Sequence, residues 1–199
     1  MSRAALDPAA RATPSDCTAR VRHALARCPW WLAVVLVYGL SRLWGWVVFA
    51  TIGGQQGPGP WGDGALGYLD FVNTWDADWY HRIFNEGYPS TLPVDTLGTV
   101  VENQWAFYPV YPLLVRGITG LTGTGWAGTA ATVSLVAGFG AALVLYRLFC
   151  SAPVMTQPRT AGGVSRPALW AVAVFAFNPV APVLQTPYAC LLYTSDAAD

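Results

Sequence analysis

The chain has no lysine, and only 11% of its 199 residues are charged. An average soluble domain carries about 25%, so an ordinary soluble globule is a poor fit. All eleven basic residues are arginine. That usage reflects a GC-rich coding sequence, not a nucleic-acid partner. The four cysteines include no CxxC pair, so neither a disulfide framework nor a metal cluster follows from them. Dependence on a divalent metal stays open. No internal repeat is visible between the apolar runs, whereas transporters often carry one. What the chain does have is apolar: 54% hydrophobic residues, ten tryptophans and a mean hydropathy of +0.37. This composition predicts an all-α polytopic membrane protein.

Three segments approach the roughly 20 residues that a bilayer requires: about 30–50, 126–149 and 168–188. Residues 1–29 hold Arg3, Arg11, Arg20, Arg22 and Arg27. This tail is long for a signal peptide and the first run exceeds a usual signal core, so the run reads as an uncleaved anchor. By the positive-inside rule the tail is cytoplasmic. Residues 51–125 hold seven acids against Arg82 and Arg116, which puts this loop outside. Arg147, Arg159 and Arg166 flank the next connection, which puts it inside. The expectation is a multi-pass plasma-membrane protein, provided that the apolar piece at 106–122 lies at the interface or dips in without crossing.

The loop carries the candidate chemistry. Gly53–Pro60 is too rich in Gly and Pro for a helix. Tyr68, Val72, Trp75, Trp79 and Ile83 then recur at spacings of three and four, predicting one amphipathic helix that Gly87 and Pro89 stop. On that wheel Asp76 falls within the apolar stripe, while Asp78 and His81 fall opposite as solvated groups. A carboxylate set against apolar surface is costly unless it is tied down or held for use. Asp76 is therefore the candidate catalytic base, with Asp78 and Glu102 as secondary acids. Trp105-Ala106-Phe107-Tyr108-Pro109-Val110-Tyr111-Pro112 reads as an extended aromatic shelf leading into a short helix, Leu113–Ile118. It serves either as an interfacial anchor or as a cleft wall.

Together, Trp75-Asp76 one loop after the first span, Gly87-Tyr88-Pro89, and Ala106–Leu114 resemble the PIG-V-like mannosyltransferases, especially their actinobacterial members. Asn178-Pro179 and Thr186-Pro187-Tyr188-Ala189 are similar to a later segment of that family. The resemblance covers about residues 30–189. It implies a GT-C glycosyltransferase bundle, a polyprenyl-phosphate-mannose donor, a lipid-linked or cell-envelope glycan acceptor, and an acid in the first external loop that maps onto Asp76. On this reading Trp75, Trp79, Tyr80, Phe107, Tyr108, Tyr111 and Tyr188 line the donor and acceptor cleft. Arg42, midway along the first run, would steady the leaving phosphate, or else snorkel or pair with an acid for assembly. Asn178-Pro179 and Pro182 break the third segment, either as a cleft floor or as a simple kink. Where the family continues with Ser or Ala and then Glu, this chain has Cys190. Residues 190–199 resemble the translation of a transposase adapter used in library preparation, so they are expected to be foreign and the natural protein to continue differently. The competing readings are a transporter half, an assembly scaffold, or a GT-C enzyme using another sugar or a protein acceptor.

Overall fold

The computed structural model describes residues 28–152 and 163–188. The arginine-rich tail up to residue 27, Arg159 and the suspected foreign segment lie outside them. Among the described residues every regular element is helical, and no strand forms. Only the isolated bridges Gly59–Gly62 and Val94–Val100 appear.

Helix α1, Trp30–Gly54, has 25 residues and α5, Trp126–Ser151, has 26. At 1.5 Å per residue each is roughly 38 Å long, enough for a hydrocarbon core of about 30 Å. Neither has a proline inside, and both are apolar along most of their length. Pro29 precedes α1, and its carbonyl accepts the N–H groups of Leu32 and Ala33. Helix α6, Arg166–Phe177, follows Ser165 and starts with a proline in its first turn, where no intrahelical N–H is lost.

These three helices share one core of Val34, Tyr38, Ala142, Tyr146, Ala168 and Val172. Helices α1 and α5 run antiparallel. Trp30 stacks on Tyr146 with centroids 5.3 Å apart, and Tyr38 meets Phe139 edge-on at 5.0 Å. Gly138 makes this approach possible, since a Cβ there would collide with the Tyr38 hydroxyl. The other faces are apolar and bare, with Leu36, Leu40 and Leu43 on α1, Val136 and Val144 on α5, and Trp170 on α6. Only 33% and 22% of the most apolar stretches of α1 and α5 are buried. The core helix of a soluble domain would be mostly covered. Two helices are thus long and apolar enough to cross a membrane, and their uncovered faces suggest membrane association.

Three local expectations are corrected. The segment at 168–188 is not one spanning helix. Helix α6 has 12 residues and ends at Phe177; Asn178 and Pro179 interrupt it, and a 3-10 turn, Ala181–Gln185, follows. The amphipathic helix expected from Tyr68 is two helices, α2 (Tyr68–Val72) and α3 (Asp76–Glu86), broken at residues 73–75. The aromatic shelf is more helical than its prolines suggest. Pro109 takes a helical conformation and begins α4, Val110–Thr122. Pro112 sits in the first turn of α4, where proline costs least.

Helix α4 packs antiparallel on the start of α5. The buried Tyr111 hydroxyl donates to the Ala130 carbonyl at 2.7 Å, and its oxygen accepts from Ser134 Oγ at 2.9 Å. Burial raises the Tyr111 phenol well above its ordinary pKa, against a lowering by its bond to Ser134. A second cluster forms here from Tyr80, Ile83, Tyr111, Val115 and Trp126.

Candidate functional site

The break between α2 and α3 puts Asp76 where the sequence did not. The Thr74 hydroxyl donates to the Phe71 carbonyl at 2.7 Å, closing the end of α2. The Asn73 side chain donates to the Leu69 carbonyl and accepts the Trp126 indole N–H at 2.7 Å. The chain then reverses through Trp75 at φ 54, ψ −123, the only non-glycine residue with positive φ among those described. Those are the dihedrals of the first central position of a type II′ turn, normally glycine. The Ala77 N–H donates to the Thr74 carbonyl at 3.2 Å and closes that turn. A bulky residue held there costs about 1–3 kcal/mol.

Asp76 is the first residue of α3, and it is exposed. The buried face of α3 is Ala77, Tyr80 and Ile83, so Asp76 is not in the apolar stripe. The wheel that put it there ran through a break. Among the described residues nothing hydrogen-bonds or pairs with its carboxylate, and the first turn of a helix favours an anion. Aromatic rings pack on the residue before it: Trp75 meets Phe71 edge-on at 5.5 Å and Trp61 at 6.3 Å. The Tyr188 hydroxyl lies 3.5 Å from the Thr74 carbonyl. The end of the third segment therefore reaches the same turn.

Asp78 is half-buried and its carboxylate is held by Arg82, at 2.8 Å one turn along α3. Arg82 also covers the Trp79 ring at 4.7 Å. Glu102 is exposed in the loop before Gln104, and no contact joins it to Asp76. Trp79 stacks on Phe107 at 5.9 Å, and Tyr80 meets Phe107 and Tyr111 edge-on at 5.3 and 5.4 Å. These four rings are one cluster. Within it Tyr80 and Tyr111 are buried packing residues, which leaves Trp79 and Phe107 as its partly open members. Tyr108 points outward and is exposed.

Arg42 is not beside Asp76. It is buried, and its guanidinium donates to the carbonyls of Ala181 at 2.6 Å and Ala176 at 3.0 Å and to Ser41 Oγ at 3.3 Å. Its hydrogen bonds serve the broken third segment, and among the described residues no acid pairs with it. His81, expected in solvent, stacks on Trp126 at 5.2 Å and 14°. Burial lowers its pKa, and the Asp78 charge partly opposes this. Among the described residues no three His, Cys, Asp or Glu side chains converge to hold a metal ion.

The break at residues 73–75 was only partly signalled in the sequence. The Trp75 turn had no signal, because tryptophan is disfavoured there. Asn73 and Thr74 are turn-forming types that interrupt the apolar pattern, and they could have marked the break. Comparison with protein-family models, with curated proteins and with solved structures finds no match for this chain.

Proposed function

We propose that the chain is a GT-C membrane glycosyltransferase that moves a mannosyl residue from a polyprenyl-phosphate donor to a lipid-linked or cell-envelope glycan. The observation that carries the reading is the Trp75–Asp76 turn. A strained aromatic residue immediately precedes an exposed, unpartnered carboxylate at a helix start. Strain of this kind clusters at functional sites. The motifs quoted above supply the reaction class, and the bare apolar faces of α1 and α5 supply the membrane setting.

The chemistry is compact. Asp76 takes the proton of an acceptor hydroxyl as general base. The hydroxyl oxygen attacks the anomeric carbon, and the bond from that carbon to the phosphate oxygen breaks with its electron pair. The polyprenyl phosphate leaves, and the sugar inverts in one displacement. Trp75, with Trp61 and Phe71 beside it, offers apolar ring faces for the sugar. Arg42 contributes by holding the third segment in place, and any cation at the leaving phosphate is a different group.

Membranes expressing the full-length gene product, supplied with polyprenyl-phosphate-mannose carrying a radiolabelled sugar, test the reading. Label should move into a lipid or envelope glycan. Membranes that hold the protein yet release no label from the donor to any acceptor would count against it.

A further inference from the structure

A strained turn persists only where its surroundings hold it. At the Trp75 corner the backbone bonds are mostly local to one arm. The Asn73 N–H donates to the Asp70 carbonyl at 3.2 Å in the first arm, and the Asp78 N–H to the Trp75 carbonyl at 3.0 Å in the second. Across the corner runs the 3.2 Å bond from the Ala77 N–H to the Thr74 carbonyl. These bonds shape the corner and leave the angle between α2 and α3 to side chains. Asp76 follows the corner directly and opens α3, so its carboxylate moves with that angle.

One side chain from outside both arms touches each of them. Trp126 is the first residue of α5, and it is buried. Its indole N–H donates to Asn73 Oδ1 at 2.7 Å, in the first arm. The Asn73 amide nitrogen donates to the Leu69 carbonyl at 2.8 Å, so a single amide orientation satisfies both partners. The indole ring meets the second arm. His81 stacks on it at 5.2 Å and 14°, and Phe84 packs on it at 5.1 Å. Tyr111 of α4 meets it edge-on at 6.3 Å. Swinging the first arm away would strand a buried indole N–H, and swinging the second would open the ring stack.

We propose that Trp126 is a positioning residue for Asp76: it clasps both arms of the Trp75 turn, ties them to the start of α5, and so aims the carboxylate. The proposal rests on the reading of Asp76 as the base, but the clasp can be measured without it. Trp126 itself touches no reacting atom. Its leverage comes from geometry, since a misplacement of about 1 Å costs about 10²-fold in rate.

Double electron–electron resonance on the full chain in nanodiscs tests the clasp. In a cysteine-free background, spin labels are placed at Asp76→Cys and at Leu148→Cys, near the far end of α5. A control pair at Leu43→Cys and Leu148→Cys reports α1 against α5; both leucines are exposed. Trp126→Phe keeps a ring for His81 and Phe84 and removes the N–H. Asn73→Ala removes the same bond from the other side, and it carries the test where Trp126→Phe does not fold. Either change should broaden the 76–148 distances and leave the control pair alone. Unchanged 76–148 distances, or equal broadening of both pairs, would overturn the clasp. In unlabelled protein Trp126→Phe should lower kcat by about tenfold to a hundredfold with the donor KM unchanged. In an Asp76→Asn background it should lower the residual transfer no further, because the base it aims is gone. The same loss in both backgrounds would make Trp126 merely structural and overturn the positioning role. Broadened distances with full transfer by both Trp126→Phe and Asp76→Asn would overturn the reading of Asp76 and leave the clasp standing.

Discussion

Arg42 donates to the carbonyls of both Ala176 and Ala181, at 3.0 and 2.6 Å, and so bridges the break at Asn178-Pro179. One carbonyl is in the last turn of α6 and the other begins the 3-10 turn beyond it. The planar fork of an arginine can serve two acceptors at once, which an ammonium group does less well. Helix ends leave carbonyls unpaired, and here Ala176, Ala181 and the guanidinium that serves them are all buried. A cation at the C-terminal end of α6 also suits the helix dipole.

Arg42→Met should therefore destabilise the protein. Each buried carbonyl left without a partner costs about 1–3 kcal/mol, and Arg42→Lys should recover only part of the loss. Thermal unfolding in detergent micelles checks this. An Arg42→Met protein as stable as the wild type would remove Arg42 from the assembly of the third segment.

The Tyr38–Gly138 contact makes a second prediction. A Cβ at position 138 would collide with the Tyr38 hydroxyl and crowd its ring, and overpacking of this kind typically costs about 1–3 kcal/mol. Gly138→Ala should lower the unfolding temperature. Among the described residues the Tyr38 hydroxyl has no hydrogen-bond partner, so Tyr38→Phe alone should cost little. In the Tyr38→Phe background the Gly138→Ala penalty should shrink, because the nearest colliding atom is gone. Equal penalties in both backgrounds would mean that the helices separate instead of clashing.

How far the sequence carries can be judged from particular residues. The long runs that become α1 and α5 are visible because twenty or more apolar residues in succession have few other uses. Asp76 stands out in the sequence as an acid among aromatic residues, but the place in the apolar stripe that the wheel gives it fails. A helical wheel assumes an unbroken helix, and the break at Asn73–Trp75 depends on side-chain hydrogen bonds and on tertiary packing against Trp126. Arg42 shows the same limit. Its position within an apolar run is plain from the sequence, but which carbonyls it serves depends on a segment more than 130 residues away.

The Trp75 turn predicts an inverted order of substitutions. Trp75→Ala loses the rings packed on it and keeps the strained dihedrals. Trp75→Gly loses the same rings but relieves the backbone, which glycine alone adopts readily at positive φ. Trp75→Gly should be the more stable of the two by about 1 kcal/mol. The usual order, alanine above glycine, would show that the turn is not held at positive φ.

His81 predicts a pH effect. Its pKa in the folded protein lies below the ordinary value of about 6.5 because burial against Trp126 disfavours the charged ring. Stability from this group is complete above the ordinary value and is lost as pH falls from there through the folded value. His81→Phe keeps a ring against Trp126 and cannot protonate, so its unfolding temperature should fall less than that of the wild type between neutral and mildly acidic pH. Parallel curves would show that other groups dominate.

The central claim is that Asp76 is the base, and its neighbour provides the control. Asp78 lies two residues on and is already paired with Arg82 at 2.8 Å, whereas the Asp76 carboxylate is exposed and unpartnered. Mannose transfer from the polyprenyl-phosphate donor should be measured in membranes holding equal amounts of Asp76→Asn and Asp78→Asn full-length protein. Asp76→Asn should lower the rate by about 10²–10⁴-fold with little change in donor affinity, and Asp78→Asn should be mild. Near wild-type transfer by Asp76→Asn, with transfer abolished in Asp78→Asn, would contradict the account.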